Sequence, residues 1–180
     1  ISNLLIGAFF EDINYAADGG LYAELIQNRG FEYSPADKGY RDSNWNSSYS
    51  WSLKGNGSIF AIDSINPLHE NNKHYAVIRT TAPGAGLINT GFDGISVKKG
   101  AQYNVSIFAK QFENLKQSIH IALISEKGEE LATSTLKISG NHWKKYETVL
   151  FAGSSASGAV LQIKPLSTGT LHLDMISLFP

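Results

Sequence analysis

Two carboxylates stand side by side at Glu11 and Asp12, directly after an apolar run, and such a pair is the first place to look for acid–base chemistry. Cleavage of a glycosidic bond with retention needs two carboxyl groups about 5 Å apart across one bond. Adjacent residues on a strand point to opposite faces, so Glu11 and Asp12 cannot serve one substrate together. A second group lies in the polar stretch from Tyr33 to Ser50, where Tyr40, Trp45 and Tyr49 sit among Asp37, Arg41, Asp42, Asn44 and Asn46. Flat rings beside amides and carboxylates are the composition of a sugar platform, because a C–H face stacks on a ring while polar neighbours take the hydroxyls. A loop ring docked on its own domain has the same composition. Trp51 and Trp143 fall within strand patterns and read as structural. His69, His74, His120, His142 and His172 are dispersed, with no H-x-x-x-H spacing for zinc. Neither a Gly-x-Ser-x-Gly elbow nor a phosphate loop is present.

The elements that must hold these residues can be read from periodicity. The apolar run from Leu4 to Ile13 predicts a strand buried on both faces. Asp18 predicts the N-cap of a short helix from Gly20 to Gln27, ended by Gly30. From Phe31 onward the period changes to two: Tyr103, Val105, Ile107 and Ala109 alternate with Asn104, Ser106, Phe108 and Lys110, and Ile119, Ile121 and Leu123 alternate with Ser118, His120 and Ala122. Further strands are predicted over residues 49–53, 58–63, 74–80, 86–89, 94–97, 130–138, 143–151, 159–164 and 170–179, separated by Gly-, Asn- and Pro-containing turns. The pattern predicts an all-β antiparallel sandwich with helix confined to a short strand-helix prefix, and Tyr33 to Ser50 as a long loop. The chain has 180 residues, no cysteine and a formal net charge of −1, which excludes disulfides and thiolate metal sites and gives no basic footprint for nucleic acid. No apolar run reaches the roughly 20 residues of a membrane helix, so no membrane partner is expected.

The segment from Gly7 through Phe9-Phe10-Glu11-Asp12, Asp18-Gly19-Gly20 and Asn28-Arg29-Gly30-Phe31-Glu32 resembles the opening of glycoside hydrolase family 51, the α-L-arabinofuranosidases. Asn89-Thr90-Gly91-Phe92-Asp93-Gly94-Ile95, Trp143-Lys144-Lys145-Tyr146-Glu147 and Leu173-Asp174-Met175-Ile176-Ser177-Leu178-Phe179-Pro180 resemble the carbohydrate-binding-module-like insert of many members. The resemblance narrows the sandwich to a jelly roll. A catalytic (β/α)8 barrel needs roughly 250 residues, so the chain is expected to be a piece: residues 1–30 the first strand and helix of a missing catalytic barrel, residues 31–180 the module. The implied role is the non-catalytic N-terminal portion of an enzyme that removes terminal arabinofuranosyl groups from plant polysaccharides, inactive by itself. Its module would shape one side of the active site or hold glycan; an autonomous glycan-binding module and a structural spacer are the alternatives. Glu11 matches a carboxylate that hydrogen-bonds sugar hydroxyls in the intact enzyme, and Trp45 and Tyr49 are the candidate glycan contacts of the module.

Glu32 and Asp174 stand where similar modules hold a structural calcium between first and last strands; otherwise each accepts backbone or Arg hydrogen bonds at a strand end. No other cofactor is implied. The expected partners are an arabinose-containing polysaccharide and the missing barrel. Without the barrel, Leu5, Phe9, Phe10, Leu21, Leu25 and Ile26 would each forgo about 1.5–3 kcal/mol of burial, so self-association through residues 1–30 or packing on the sandwich is expected. The chain begins at Ile1 rather than Met, as a chain stripped of its leader would, and an extracellular or periplasmic location is the expectation.

Overall fold

The structure, a computed structural model, describes residues 22–112 and 116–180. Eleven strands follow one another there: β1 (Trp51–Lys54), β2 (Ser58–Asp63), β3 (Tyr75–Thr80), β4 (Gly86–Asn89), β5 (Ile95–Val97), β6 (Gln102–Gln111), β7 (Gln117–Ile124), β8 (Glu130–Ile138), β9 (Lys144–Phe151), β10 (Ala156–Pro165) and β11 (Gly169–Phe179). They form two antiparallel sheets, one in the order β1-β4-β10-β7-β8 with β5 also on β10, the other in the order β2-β3-β11-β6-β9. The period-two segments became strands because their apolar phase has one place to go. Ile119, Ile121 and Leu123 of β7 and Leu161 and Ile163 of β10 face Tyr103, Val105 and Ile107 of β6 and Leu171 and Leu173 of β11 in a single buried core.

Residues 33–50 are the expected long loop, with one added feature. Pro35–Lys38 makes a 3₁₀ turn, capped by Ser34, whose hydroxyl accepts from Ala36 N, and by Asp37, which accepts from Ser34 N.

β11 departs from simple alternation. Its core residues run Leu171, Leu173, Ile176, Leu178, so one extra residue intervenes between Leu173 and Ile176, and the pairing with β6 shifts between Asp174 and Ser177. Met175, at φ 45°, is the turn of this β-bulge. β3 pairs with β11 only as far as Leu173. Beyond that, the segment 22–29 takes the vacant edge: Leu25 N donates to Leu178 O and Ile176 N to Arg29 O, both at 3.0 Å.

This pairing corrects the helix predicted from Gly20 to Gln27. Residues 22–26 are non-helical, and 27–30 form a turn. A short isolated helix is marginal in water, and the ladder to β11 plus burial of Ile26 outweighs the local capping signal. Leu25 and Ile26, expected without the barrel to pack on the sandwich or on another chain, pack on the core of the sandwich. The predicted strand at 4–13, with Glu11, Leu5, Phe9, Phe10, and also Leu21, lies outside the described residues.

Core and surface should separate sharply in stability. Leu161→Ala, at a fully buried site, is expected to cost about 2–5 kcal/mol in urea unfolding. Ile59→Ala, at a side chain 64% exposed, is expected to stay within about 0.5 kcal/mol.

Candidate functional site

Three strands of the five-stranded sheet turn a row of polar and aromatic side chains outward. Register places Glu147, Ser106 and Ser177 in one row across β9, β6 and β11, Lys145, Phe108 and Asp174 in the next, and Val149, Asn104 and Phe179 on the other side. With Tyr22 and Arg29 from the N-terminal segment, these residues line a cleft of about 670 Å³. Tyr22, half exposed, stands edge-on to Phe179 with ring centroids 5.2 Å apart. Lys145 Nζ and Glu147 Oε1 form an ion pair at 2.6 Å on the open wall.

One buried carboxylate sets this wall. Glu24 Oε1 accepts from Ile26 N at 3.0 Å and Leu178 N at 2.9 Å, while Oε2 accepts from Ser177 Oγ at 2.5 Å and Arg29 Nη1 at 3.4 Å. Arg29 Nη1 also donates to Tyr22 Oη at 3.3 Å. Glu24 therefore holds Arg29 and Tyr22 at the cleft while satisfying donors that β3 no longer reaches.

Beyond Phe108 and Lys145, the same sheet carries a cluster of packed rings. Tyr75 stacks on His172 and meets Trp143 edge-on, both at 5.2 Å, with Lys110 Nζ over both Tyr75 and Trp143. The carbonyl of Asn66 accepts from Lys110 Nζ at 2.8 Å and Trp143 Nε1 at 3.2 Å, and that of Ile65 from Tyr75 Oη at 2.6 Å. Burial pushes Tyr75 up to about 12, helped by the charge of Asp63, and holds His172 down at about 4, so this cluster keeps its imidazole neutral at physiological pH. Trp143 is structural, as is Trp51, whose Nε1 donates to Asn28 O at 2.9 Å.

The aromatic loop residues are brought together on one another. Trp45 stacks on Tyr33 with centroids 4.3 Å apart, Tyr49 lies 4.6 Å away at a tilt, and Lys38 Nζ sits over the indole at 4.3 Å. Trp45 is only 8% exposed, so its ring is part of the loop's packing. Tyr40 is fully outside this stack at 78% exposure. Asn28 ties the loop down: its Nδ2 faces the carbonyls of Asn46, Ser47 and Tyr49 at 3.0–3.4 Å and its Oδ1 accepts from Tyr33 N.

Glu32 and Asp174 do converge on one place, at the mouth of the bulge. Glu32 accepts from His74 N at 2.6 Å and pairs with His74 Nδ1 at 2.8 Å. Asp174, fully buried, accepts from Asn72 Nδ2 at 2.6 Å and Met175 N at 2.7 Å. Burial pushes Asp174 up to about 7 against these two hydrogen bonds, with the neighbouring charge of Glu32 adding to the rise. Gly30 leaves room for this cluster, since a Cβ there would stand 2.6 Å from Asn72 Oδ1. Among the described residues no three Asp, Glu, His or Cys side chains form a metal cluster. The donor set fits a hard oxygen-seeking cation only with amide and backbone oxygens added to the two carboxylates.

Sequence reasoning missed Glu24, Arg29, Phe108 and Glu147. Phe108 carried a signal, an aromatic on the polar phase of β6; Glu24 carried none, because its partners lie about 150 residues away at Ser177 and Leu178.

The family described as carbohydrate binding domain matches residues 23–168. An extracellular exo-α-L-arabinofuranosidase of Streptomyces chartreusis is 34% identical over 185 residues, covering all of this chain and 20% of that protein. α-L-Arabinofuranosidase 2 of Arabidopsis thaliana is 31% identical over 195 residues, again covering all of this chain and 27% of that protein. The chain thus spans a fifth to about a quarter of the length of these relatives. Among solved structures, an arabinose-bound α-L-arabinofuranosidase of glycoside hydrolase family 51 superposes with a TM-score of 0.80 at 25% identity, over 95% of this chain and 28% of that one. A xylan-binding domain from Paenibacillus barcinonensis shares the fold, with a TM-score of 0.53 at 12% identity over 73% of this chain and 86% of that domain.

The raised pKa of Asp174 makes stability depend on pH in one direction. Between about 4 and about 7 the folded chain keeps a proton that the unfolded chain has lost, so this residue's contribution to stability declines as pH rises through that window. In a chelating buffer, the unfolding free energy should fall more steeply with pH in the parent than in Asp174→Asn. Equal slopes would show that the carboxyl is ionised throughout.

Proposed function

The chain belongs to the carbohydrate-binding domain family, and from that premise we propose that it is the non-catalytic, glycan-holding portion of an α-L-arabinofuranosidase acting outside the cell on arabinose-containing polysaccharide. The observation that carries the reading is the cleft on the outer face of β9, β6 and β11, where Phe108, Tyr22 and Phe179 offer ring faces and edges beside Arg29, Lys145 and Glu147. Rings take the C–H surface of a sugar, and the charged groups take its hydroxyls in charge-assisted hydrogen bonds. The fold match to an arabinose-bound family 51 enzyme, and full-length coverage by arabinofuranosidases, favour arabinose over xylose as the sugar. In the intact enzyme, Glu11 hydrogen-bonds the sugar being cleaved, and the part of residues 1–30 that precedes the β11-paired segment joins the catalytic barrel, or a second copy of the chain where no barrel is present.

Affinity electrophoresis of the 180-residue chain on arabinan, arabinoxylan and xylan tests the reading. Retardation by arabinan and arabinoxylan is expected, and Glu147→Gln, at an exposed side chain, should weaken it roughly tenfold. A chain retarded by none of the three is a structural spacer instead.

We also propose that Glu32 and Asp174, with the Asn72 amide and backbone carbonyls, hold a structural calcium. The support is the fully buried carboxyl of Asp174, which has no cationic side chain in hydrogen-bond contact among the described residues. A bound divalent cation stabilises the folded state by mass action, so calcium should raise the melting temperature of the parent at neutral pH and leave Asp174→Asn unmoved. A calcium-independent melting temperature in the parent removes the site.

A further inference from the structure

We propose a second sugar site, in the hollow at the loop end of the six-stranded sheet, remote from the cleft and built for a neutral, hydroxyl-rich ring. The inference rests on the sugar-binding reading of the family but on separate residues. The hollow, about 520 Å³, opens where β1 begins, β4 ends and β10 begins, a size within the range of small-ligand sites. Tyr49 lines one side; Gln27, Thr90, Asp93 and Glu126 supply its polar lining.

Glycine keeps the space open. Gly94 and Gly158, both at positive φ, bring two backbones so close that a Cβ on Gly94 would stand 2.6 Å from Gly158 Cα. A Cβ on Gly158 would stand 2.4 Å from Glu126 Oε1, so the carboxylate lies directly over the glycine at the bulge of β10 between Ala156 and Ala159.

The unsatisfied groups define the ligand. Neither Asp93 nor Glu126 has a hydrogen bond or ion pair among the described residues, and no Lys or Arg lines the hollow. Two free carboxylates reject an acidic sugar or a phosphate and accept hydroxyl donors, most strongly from a vicinal diol. Beneath them, the Gln27 side chain is 4% exposed; its Oε1 takes the Ser50 hydroxyl at 2.5 Å, and its Nε2 has no acceptor. Whichever way that amide is turned, one polar atom stays unmatched, and a hydroxyl, which donates and accepts, suits either. Tyr49, held at a tilt against Trp45, adds ring surface at the rim.

The test is amide NMR of the full chain titrated with α-1,5-arabinotriose, and separately with calcium chloride. The expected result is sugar-dependent shifts at Thr90, Gly91, Gly94 and Gly158 that persist in Glu147→Gln and need about tenfold more sugar in Glu126→Gln or Asp93→Asn. Both carboxylates are exposed, so dispersed spectra in these variants will confirm folding. Shifts confined to Ser106, Phe108 and their neighbours overturn the second site and leave the cleft standing. Shifts at the hollow alone uphold the second site and overturn the cleft. No shift at either set overturns both, and a response of the hollow to calcium but not to sugar makes it a cation site.

Discussion

One extra residue in the last strand sets the terms for the rest of the molecule. The bulge at Met175 moves β11 out of phase, so Leu171 and Leu173 on one side and Ile176 and Leu178 on the other still reach the core while β3 stops pairing. The backbone donors beyond it need partners, since an unpaired buried N–H costs about 1–3 kcal/mol. The segment 22–29 provides them, through its own carbonyls and through Glu24, whose carboxylate takes Leu178 N and Ser177 Oγ. The same docking carries Arg29 and Tyr22 to the cleft, and places Glu32 beside Asn72, whose amide donates to the buried Asp174. Cleft and carboxylate cluster are two sides of one irregularity.

The two sheets divide the work of the module. On the outer face of the five-stranded sheet, Phe108, Lys145 and Glu147 line the cleft, while Tyr75, His172, Trp143 and Lys110 pack on one another beside it, with the Ile65 and Asn66 carbonyls as acceptors. That cluster carries the buried Tyr75 ring and a neutral imidazole. The six-stranded sheet offers its loop end instead, where glycine backbones crowd together and leave polar side chains around an open space.

Much of the fold was legible in the sequence, for a physical reason. Period two with a strictly apolar phase, as in Ile119, Ile121 and Leu123, has one low-energy outcome when turns bound it, and strands such as Ser58–Asp63, Gly86–Asn89 and Glu130–Ile138 fell where the pattern placed them. The predicted helix failed over its described part, 22–27, because Glu24 and Leu25 found long-range partners that local propensity cannot register. The aromatic loop of Tyr33, Trp45 and Tyr49 was visible by composition, but composition does not distinguish rings stacked on each other from rings offered to solvent. The cleft was the least legible part, since its residues come from four separated segments and become neighbours only through the register of β9, β6 and β11.

Glycan binding at the cleft over β9, β6 and β11 can be seen directly in a crystal structure of the chain soaked with an arabinan-derived oligosaccharide. A sugar ring over Phe108, with hydroxyls on Glu147 and Arg29, is expected. A cleft that holds only solvent at saturating oligosaccharide, with no sugar on this face, would contradict it.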